Sequence, residues 1–418
     1  MSELGGGLRV ITENVPSVRS VALGLFVKTG SRDETPAQAG VSHFLEHLLF
    51  KGTERYSAIE ISEYFDGLGA MTNAATSKET THLYSRFLDE HTEAAFDLLA
   101  EMFLRPTYPD IDSERQVVIE EIAMYEDEPS DRVHDFLAEA IFGEHPLGKR
   151  ILGTADVIGS IPVPDISAYH QARYLGKNIV VSAAGSVEHA RIVELAKTHL
   201  QAAIGETPRS NGGASPEHGS LRFYEKETEQ FHICFGAPGI PRDDDRRFAL
   251  SVMDTIFGGS TSSRLFREIR EKRGLAYAVG SYSEQYVDRG LVGLYVGTRP
   301  DNVAEACEII GRELTSLRSD GVSTEELDRA KENVKGRMVL SLESTSARMG
   351  RNARSSLFDL PILSLDEMIA RIEAVTGNQI AELAAELYAP ERISAACVGA
   401  DQAQFQEAVG VVNAALVA

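Results

Sequence analysis

The pattern of apolar and polar positions repeats twice along the chain. In each half an alternating, strand-like segment comes first, an apolar helix-like segment follows, and a second strand-like segment closes the half. The opening strands are RSVALGLFVKTG (19–30) and QFHICFGAPG (230–239), the helices are GVSHFLEHLLFKGT (40–53) and RFALSVMDTIFGGS (247–260), and the closing strands are NIVVSAAGSV (178–187) and ISAACVGAD (393–401). This order of elements predicts an internal duplication.

Long segments with helical spacing lie between these strands, at 92–104, 113–127, 130–142, 302–317 and 324–341. The mixture predicts an α+β protein with two homologous α/β-sandwich domains in tandem, each a mixed or antiparallel sheet covered by helices. The most linker-like segment is GETPRSNGGASPEHGS (205–220), which is rich in Gly, Pro and Ser. We therefore predict domains at 1–207 and 221–418, joined by a linker at 208–220.

Composition and charge narrow the classes of function. A chain of 418 residues is too long for one ordinary core, and 43 % apolar with 25 % charged residues is typical of globular proteins. The net charge of −22 disfavours nucleic acid and anionic membranes as partners, because both are negatively charged. The same charge favours cationic ligands or basic peptides.

Membrane spans, targeting peptides and cysteine patterns are the next features of the sequence, and none of them is predicted to be present. No run of about 18 apolar residues predicts a membrane span, and the first residues, MSELGGGLRVITENV, resemble neither a signal peptide nor a transit peptide. A cytoplasmic protein is therefore expected. Cys234, Cys307 and Cys397 are too few and too far apart for a disulfide framework or a thiolate metal cluster, so buried thiols are expected.

The segment HFLEHLLFKGT (43–53) carries the first candidate chemistry. His43 and His47 are four residues apart in a helical pattern, so their imidazoles project from one face and can reach a single Zn²⁺. Glu46 flanks that face and can accept a proton from a water molecule held there. The arrangement H-x-x-E-H is that of inverted zinc peptidases. The alternative is two half-buried histidines beside a surface glutamate.

A catalytic zinc needs a third protein ligand, and SERQVVIEEIAMYEDE (113–128) can supply it. This segment is predicted to be a helix that begins with a capping box of Ser113 and Gln116. Its buried stripe is predicted to be Val117, Val118, Ile122 and Tyr125. Glu114 and Glu121 are seven residues apart and share one face, whereas Glu120 points about 100° away. Taken alone, the segment is equally typical of a charged helix edge in water.

These motifs resemble the pitrilysin/insulinase family of inverted zinc metallopeptidases, in the branch that is similar to mitochondrial processing peptidase. The motifs are GVSHFLEHLLFKGT, GLGAMTNAATSKETTHLYSRF, SERQVVIEEI, HPLGKRILGT and SRLFREIREKRGLAYAVGS, and they extend over nearly the whole chain. The resemblance implies one Zn²⁺ per chain, bound by His43, His47 and Glu121. It also implies that Glu46 is the general base and that Glu114 supports the ligands.

The resemblance assigns roles to residues in the second half as well. Arg270 and Tyr277 in IREKRGLAY are, taken alone, typical of a surface arginine and a packed tyrosine. In the resembled family such a pair binds substrate and stabilises the oxyanion, and both side chains are suitable donors. The resemblance further implies that Asn73 and the backbone near Ala74, on a predicted strand edge, bind an extended peptide.

The expected function is thus a zinc endopeptidase that cleaves peptides or unfolded, extended and basic segments within a closed chamber. Family members of this length work as paired chains, and this chain carries both the zinc motif and the Arg/Tyr pair. A homodimer is therefore expected, with a heterodimer of related subunits as the alternative. The alternative functions are a non-catalytic scaffold subunit and a zinc-binding peptide chaperone that does not cleave.

Overall fold

A computed structural model describes residues 1–201, 204–209, 213 and 219–417 of the chain. The described residues form two compact units, each with its own sheet and core. The first unit takes its described residues from Met1–Met124, Lys149–Asn211 and Leu340–Ile362. The second takes them from Tyr125–Gly148, Gly212–Val339 and Leu363–Ala418.

The first sheet has six strands in the order β1-β2-β6-β3-β5-β4. Its strands are β1 (Ser2–Glu3), β2 (Arg9–Asn14), β3 (Ser20–Val27), β4 (Met71–Thr76), β5 (Thr81–Leu88) and β6 (Ile179–Gly185). The helices up to β6 and just after it are α1 (Val41–Leu48), α2 (Ala58–Gly67), α3 (Thr92–Leu104), α4 (Ile111–Asp127), α5 (Pro129–Phe142), α6 (Ala155–Ser160), α7 (Val163–Arg173) and α8 (His189–His199).

The second sheet has five strands in the order β7-β11-β8-β10-β9. Its strands are β7 (Leu221–Glu225), β8 (Phe231–Gly239), β9 (Ala276–Gln285), β10 (Gly290–Thr298) and β11 (Ser394–Gly399). The remaining helices are α9 (Arg247–Phe257), α10 (Val303–Ser319), α11 (Thr324–Ser341), α12 (Thr345–Leu357), α13 (Leu365–Glu373), α14 (Gly377–Leu387) and α15 (Gln402–Val412). A π-helical turn spans Phe266–Glu271.

The two sheets share one topology. Apart from the short β1, the order β2-β6-β3-β5-β4 corresponds strand for strand to β7-β11-β8-β10-β9. Each sheet has one parallel pair, β2 with β6 and β7 with β11, and its other neighbours are antiparallel. Both sheets are mixed and covered by helices, so the predicted α+β class and internal duplication are confirmed.

Each unit is completed by a helix from the other half of the sequence. Helix α12 packs on β2, β3 and β6 through a core of Ile11, Ala22, Phe26, Val180, Ala184, Met349, Ala353 and Leu357. Helix α5 packs on β7, β8 and β11, where Val133, Leu137 and Ile141 meet Cys234, Ala396 and Val398. The apolar faces of the two helices therefore decide which sheet each one covers.

This exchange makes the compact units differ from the predicted contiguous ranges. Residues of 125–148 pack with the second sheet and residues of 340–362 with the first, whereas the predicted domains ran from 1 to 207 and from 221 to 418. Chain order alone does not reveal such an exchange. The predicted linker at 208–220 lies largely outside the described residues.

Two further expectations concern thiols and membranes. Cys234, Cys307 and Cys397 are all free and buried, as expected, and burial raises the pKa of the Cys307 thiol to about 12. Along the described part of the chain, no helix is long and apolar enough to cross a bilayer.

Candidate metal centre

Helix α1 brings the two histidines together. It follows Gly40, whose φ of 91° is left-handed and where a Cβ would lie 2.5 Å from the carbonyl oxygen of Leu152. The helix buries an apolar face of Val41, Phe44, Leu45 and Leu48. That burial fixes its rotation, and the rings of His43 and His47 meet edge to face with centroids 4.7 Å apart. The predicted shared face is thus present.

A buried carboxylate holds the N-terminus of α1. Glu34, only 4 % exposed, accepts hydrogen bonds from the backbone N–H groups of Gly40 at 2.7 Å and Ser42 at 2.8 Å. Burial raises the pKa of Glu34 to about 7, although these two hydrogen bonds act to lower it. Both donors are orphan N–H groups at a helix start, so Glu34 anchors the helix that carries His43 and His47.

Helix α4 brings a carboxylate to the two imidazoles. Glu121 Oε1 lies 3.6 Å from His43 Nε2, and Glu121 Oε2 lies 3.2 Å from His47 Nε2. One nitrogen or oxygen from each of the three residues lies within 4.8 Å of the others, the one such group among the described residues. The neighbouring Glu120 is exposed. Of the two adjacent glutamates, it is therefore Glu121 that reaches the histidines.

Glu114 shares one face of α4 with Glu121 and contacts the other ring nitrogen of His47. Its Oε1 lies 2.9 Å from His47 Nδ1, and its Oε2 lies 2.7 Å from Lys51 Nζ. An ionised carboxylate only accepts hydrogen bonds, so His47 Nδ1 carries the proton. The tautomer that results leaves His47 Nε2 with a lone pair directed toward Glu121.

The side chains present fit a divalent cation. Since His47 Nδ1 already donates to Glu114, a hydrogen bond from His47 Nε2 to Glu121 would require a doubly protonated ring. A cation among the three side chains would instead link His47 Nε2 to Glu121 while the His47 ring stays neutral. Two imidazole nitrogens and one carboxylate are also the donor set of catalytic zinc sites. The contacts with the His43 and His47 rings hold the pKa of the Glu121 carboxyl well below its usual range, which keeps it ionised for such a role.

Glu46 lies on the same helix, between the two histidines in sequence. Its Oε2 accepts a 2.5 Å hydrogen bond from the hydroxyl of Thr76 at the end of β4. One carboxylate oxygen is thereby fixed by the sheet. No other hydrogen bond engages the Glu46 side chain among the described residues, so its second oxygen is open to a ligand.

The predicted strand edge is present. β4 is the last strand of its sheet, and both Asn73 and Ala74 lie within it. The side chain of Asn73 is exposed and its Oδ1 accepts a hydrogen bond from the backbone N–H of Ala74 at 2.9 Å. A peptide strand that pairs with this amide therefore has to displace the Asn73 carbonyl.

Arg270 and Tyr277 also lie together, in the second unit. The Arg270 guanidinium carbon stacks 4.3 Å from the centroid of the Tyr277 ring, and Arg270 Nη1 donates to the backbone oxygen of Tyr277 at 3.1 Å. Tyr277 is 77 % exposed. The pair is therefore held together by a cation–π contact, and most of Tyr277 remains exposed.

Three residues of this centre escaped the sequence analysis, namely Glu34, Lys51 and Thr76. Lys51 is four residues after His47, so helical spacing alone could have placed it near the site. Thr76 lies two residues after Ala74, so the alternation of side chains along the predicted edge strand could have placed both residues on one face of the sheet. No sequence pattern identifies Glu34, because its role depends on how the loop before α1 folds back.

Comparison with known proteins identifies the family. A model described as insulinase (peptidase family M16) matches residues 9–155, and one described as peptidase M16 inactive domain matches residues 160–334. The chain belongs to the insulinase (pitrilysin) family, peptidase family M16. The resemblance seen in the sequence motifs is thus confirmed at the level of the family.

Several relatives within peptidase family M16 match most of the chain. An uncharacterized zinc protease of Bacillus subtilis, YmxG, is 42 % identical and covers 91 % of this chain and 94 % of its own length. One from Streptomyces coelicolor is 41 % identical over 92 % of this chain and 86 % of its own. One from Mycobacterium tuberculosis is 38 % identical over 95 % and 92 %. All three are named as zinc proteases.

Two solved structures share the fold. A protease from Helicobacter pylori superposes with a TM-score of 0.89 at 24 % identity, over 95 % of this chain and 98 % of that one. A peptidase M16 inactive domain from Pseudomonas fluorescens gives 0.89 at 23 % identity, over 96 % and 98 %. At such identities the likeness concerns the fold alone.

Proposed function

We propose that this chain is a zinc-dependent endopeptidase. The observation that carries the proposal is the convergence of His43, His47 and Glu121, whose ligand atoms lie within 4.8 Å of one another. The names of the relatives as zinc proteases support the same metal. Zinc bound there would supply Lewis acidity, which lowers the pKa of a water molecule and polarises a carbonyl group.

Glu46 is proposed as the general base and later the general acid. Its free oxygen takes a proton from the attacking water and passes it to the leaving amine. The hydrogen bond from Thr76 to the other oxygen holds the carboxylate in one orientation during both transfers. In the proposed pair of chains, Arg270 and Tyr277 of one copy donate to the negative charge that develops on the carbonyl oxygen at the metal centre of the other. The contact between Arg270 and Tyr277 pre-orders the two donors.

The proposed substrates are peptides and unfolded, extended segments. The open edge of β4 can add a peptide strand through main-chain hydrogen bonds, which demand little of the substrate side chains. Asn73 and Ala74 lie on that edge. The net charge of −22 favours the approach of basic peptides. A closed chamber that excludes folded proteins is part of this proposal.

The proposed assembly is a homodimer in the processing-peptidase-like branch of the family. One chain carries the candidate zinc ligands, the candidate base and the Arg/Tyr pair, so two copies suffice to supply every part. A heterodimer with a related subunit is the alternative. Molecular mass measured in solution on the chain expressed alone distinguishes the two.

Metal content and cleavage test the proposed chemistry together. The purified chain is expected to contain one zinc per chain and to cleave a basic fluorogenic peptide, with activity lost to a chelator and restored by zinc. Glu46→Gln is expected to retain zinc and to lose cleavage by a factor of about 10²–10⁴, whereas Glu120→Gln should behave as the parent chain. Undiminished cleavage by Glu46→Gln would remove Glu46 from the mechanism.

A non-catalytic scaffold or peptide-binding subunit is the second candidate. This function is favoured by the family model that matches residues 160–334, which is described as an inactive domain. A subunit of this kind would bind peptide without turnover. Peptide binding by the zinc-loaded chain, with no product formed over hours and with the chain's metal content at one zinc, would favour this function over the peptidase.

A further inference from the structure

Helix α4 presents two exposed apolar side chains beside Glu121. Val117 is 50 % exposed and Met124 is 68 % exposed. They lie four residues before and three residues after Glu121, and residues at these spacings share one helical face. From the helical rise, they stand about 6 Å and about 4.5 Å along the axis from Glu121, one on each side. We refer to Val117 and Met124 as the apolar strip.

The strip lies on the open side of the candidate centre. Helix α4 buries Glu114, Val118 and Ile122 in the first unit. Val117 and Met124 are therefore not part of its packed face. The Glu121 side chain is itself 40 % exposed. The strip therefore borders the accessible side of the carboxylate and does not belong to the core behind it.

Apolar groups in this position suit the contact with a substrate side chain. Pockets for peptides and small molecules combine exposed apolar surface with a few polar groups that do the chemistry. Methionine is flexible and polarizable, so it adapts to side chains of different shape. An extended peptide advances about 3.3 Å per residue, and the strip spans about 10 Å of helix, which is about three residues of substrate.

We propose that Val117 and Met124 form a subsite for an apolar side chain of the peptide substrate, within about two residues of the scissile bond. This inference rests on the proposed peptidase function. A carbonyl group that reaches the His43, His47 and Glu121 cluster brings the neighbouring side chains against this face of α4. The acidic charge of the chain then acts at long range on basic residues, while the strip selects an apolar residue next to the bond.

The experiment uses variants that keep the shape of the strip and change its polarity. Val117→Thr and Met124→Gln are combined in one chain, and Ile59→Thr serves as the matched control, because Ile59 is 71 % exposed and lies on α2 of the same unit. The probes are basic peptides that differ only by leucine or serine at each of the two positions on either side of the cleaved bond. Cleavage is measured as kcat/KM, and zinc content is measured for every variant.

Binding of the same peptides gives a readout that does not need turnover. Each variant is also made in the Glu46→Gln background, and peptide affinity is measured by fluorescence anisotropy. The parent chain is expected to prefer leucine over serine at one of the four positions by about 10- to 100-fold, the range of discrimination by an apolar pocket. The double variant is expected to lose most of this preference, with zinc content unchanged, and Ile59→Thr is expected to retain it.

Two results would overturn the subsite. One is a parent chain that binds and cleaves the leucine and serine peptides equally. The other is a leucine preference that survives unchanged in the double variant. Failure of the proposed function looks different, because no peptide would then be cleaved by any zinc-loaded chain. In that case, a leucine preference in binding that the double variant loses still supports the strip, and its absence refutes it.

Discussion

Glu114 joins His47 to Lys51 through a single carboxylate. One oxygen lies 2.9 Å from His47 Nδ1 and the other 2.7 Å from Lys51 Nζ. Glu114 is only 5 % exposed, so water competes little for either contact. The carboxylate keeps the proton of His47 on Nδ1, and the lysine balances its charge. The ligand geometry of the candidate centre therefore depends on a residue that need not touch the metal.

Replacing Glu114 is expected to weaken zinc binding without removing it. Partners that orient metal-bound histidines typically change metal affinity by about 10- to 100-fold, so Glu114→Gln should lie within this range. Titration of the metal-free chain with zinc against a competing chelator measures the effect. Glu120→Gln, an exposed change on the same helix, is the control. Equal affinities for Glu114→Gln and the parent chain would separate Glu114 from the metal site.

Replacing Glu34 is expected to loosen the start of α1. Glu34→Gln retains one acceptor oxygen but turns an amide N–H₂ group toward a backbone donor, which leaves one buried N–H unsatisfied. Such a loss costs about 1–3 kcal/mol. Urea unfolding should register this loss, and zinc affinity should fall with it, because α1 carries both histidines. Glu54→Gln, an exposed carboxylate just after α1, should change neither quantity.

His82 is expected to make stability fall in mild acid. It stacks on Phe26 with ring centroids 4.7 Å apart, and its Nδ1 is buried without a hydrogen-bond partner. Burial, assisted by the charge of Arg354, lowers the pKa of His82 from 6.5 to about 4. Below pH 6.5 the unfolded chain takes up a proton that the folded chain resists. Stability is therefore lost between about pH 6.5 and pH 4.

His82→Phe isolates this contribution, since phenylalanine keeps the stack on Phe26 and does not titrate. The difference in unfolding free energy between pH 7 and pH 4 should shrink by about 1–3 kcal/mol relative to the parent chain. Tyr84→Phe alters the same aromatic group, whose rings lie 5.6 Å apart, but removes nothing that titrates in acid. It should leave the pH slope unchanged, and a slope unchanged in both variants would refute the role of His82.

Leu357 is expected to stabilise the first sheet although it belongs to the second half of the sequence. It is fully buried in the core that α12 forms on β2, β3 and β6. Leu357→Ala should cost about 2–5 kcal/mol, whereas Ile362→Ala, at a half-exposed position, should cost little. Hydrogen exchange locates the effect. Faster exchange in β3 and β6, with β8 and β11 unchanged, is the expected result, and the opposite order would contradict the packing of α12.

Spacing within one helix was the most predictable feature of the site. His43 and His47 share a face wherever the segment is helical, and the structure requires nothing more to bring them together. The family resemblance pointed to Glu121 for the third position, and the structure brings that residue to the histidines.

The predictions for α4 were right for the burial of Val118 and Ile122 and wrong for Val117 and for the start of the helix. Val117 was expected in the buried stripe beside Val118, because both are apolar. Helical geometry turns adjacent residues about 100° apart, and Val118 with Ile122 occupy the interior, so Val117 is left half-exposed. The helix begins at Ile111, two residues before the predicted capping box. Apolar character alone does not tell which of two neighbouring residues faces the core.

Contacts between distant segments were beyond sequence reasoning. Glu34 reaches Gly40 and Ser42 only because the loop before α1 folds back on the helix. The exchange of α5 and α12 likewise depends on which sheet offers the complementary apolar face, and both sheets offer similar ones since they share a topology. Such choices follow from three-dimensional packing and leave no local pattern.

The late position of α12 has a consequence for biosynthesis. The last strand of the first sheet ends at Gly185, but the helix that covers one of its faces ends only at Leu357. At a translation rate of about 5–20 residues per second, roughly 10–30 s separate the emergence of the two. During that interval the nascent chain exposes an apolar sheet face on the ribosome. Chaperone engagement is therefore expected to begin after the first sheet is made and to end only as α12 emerges.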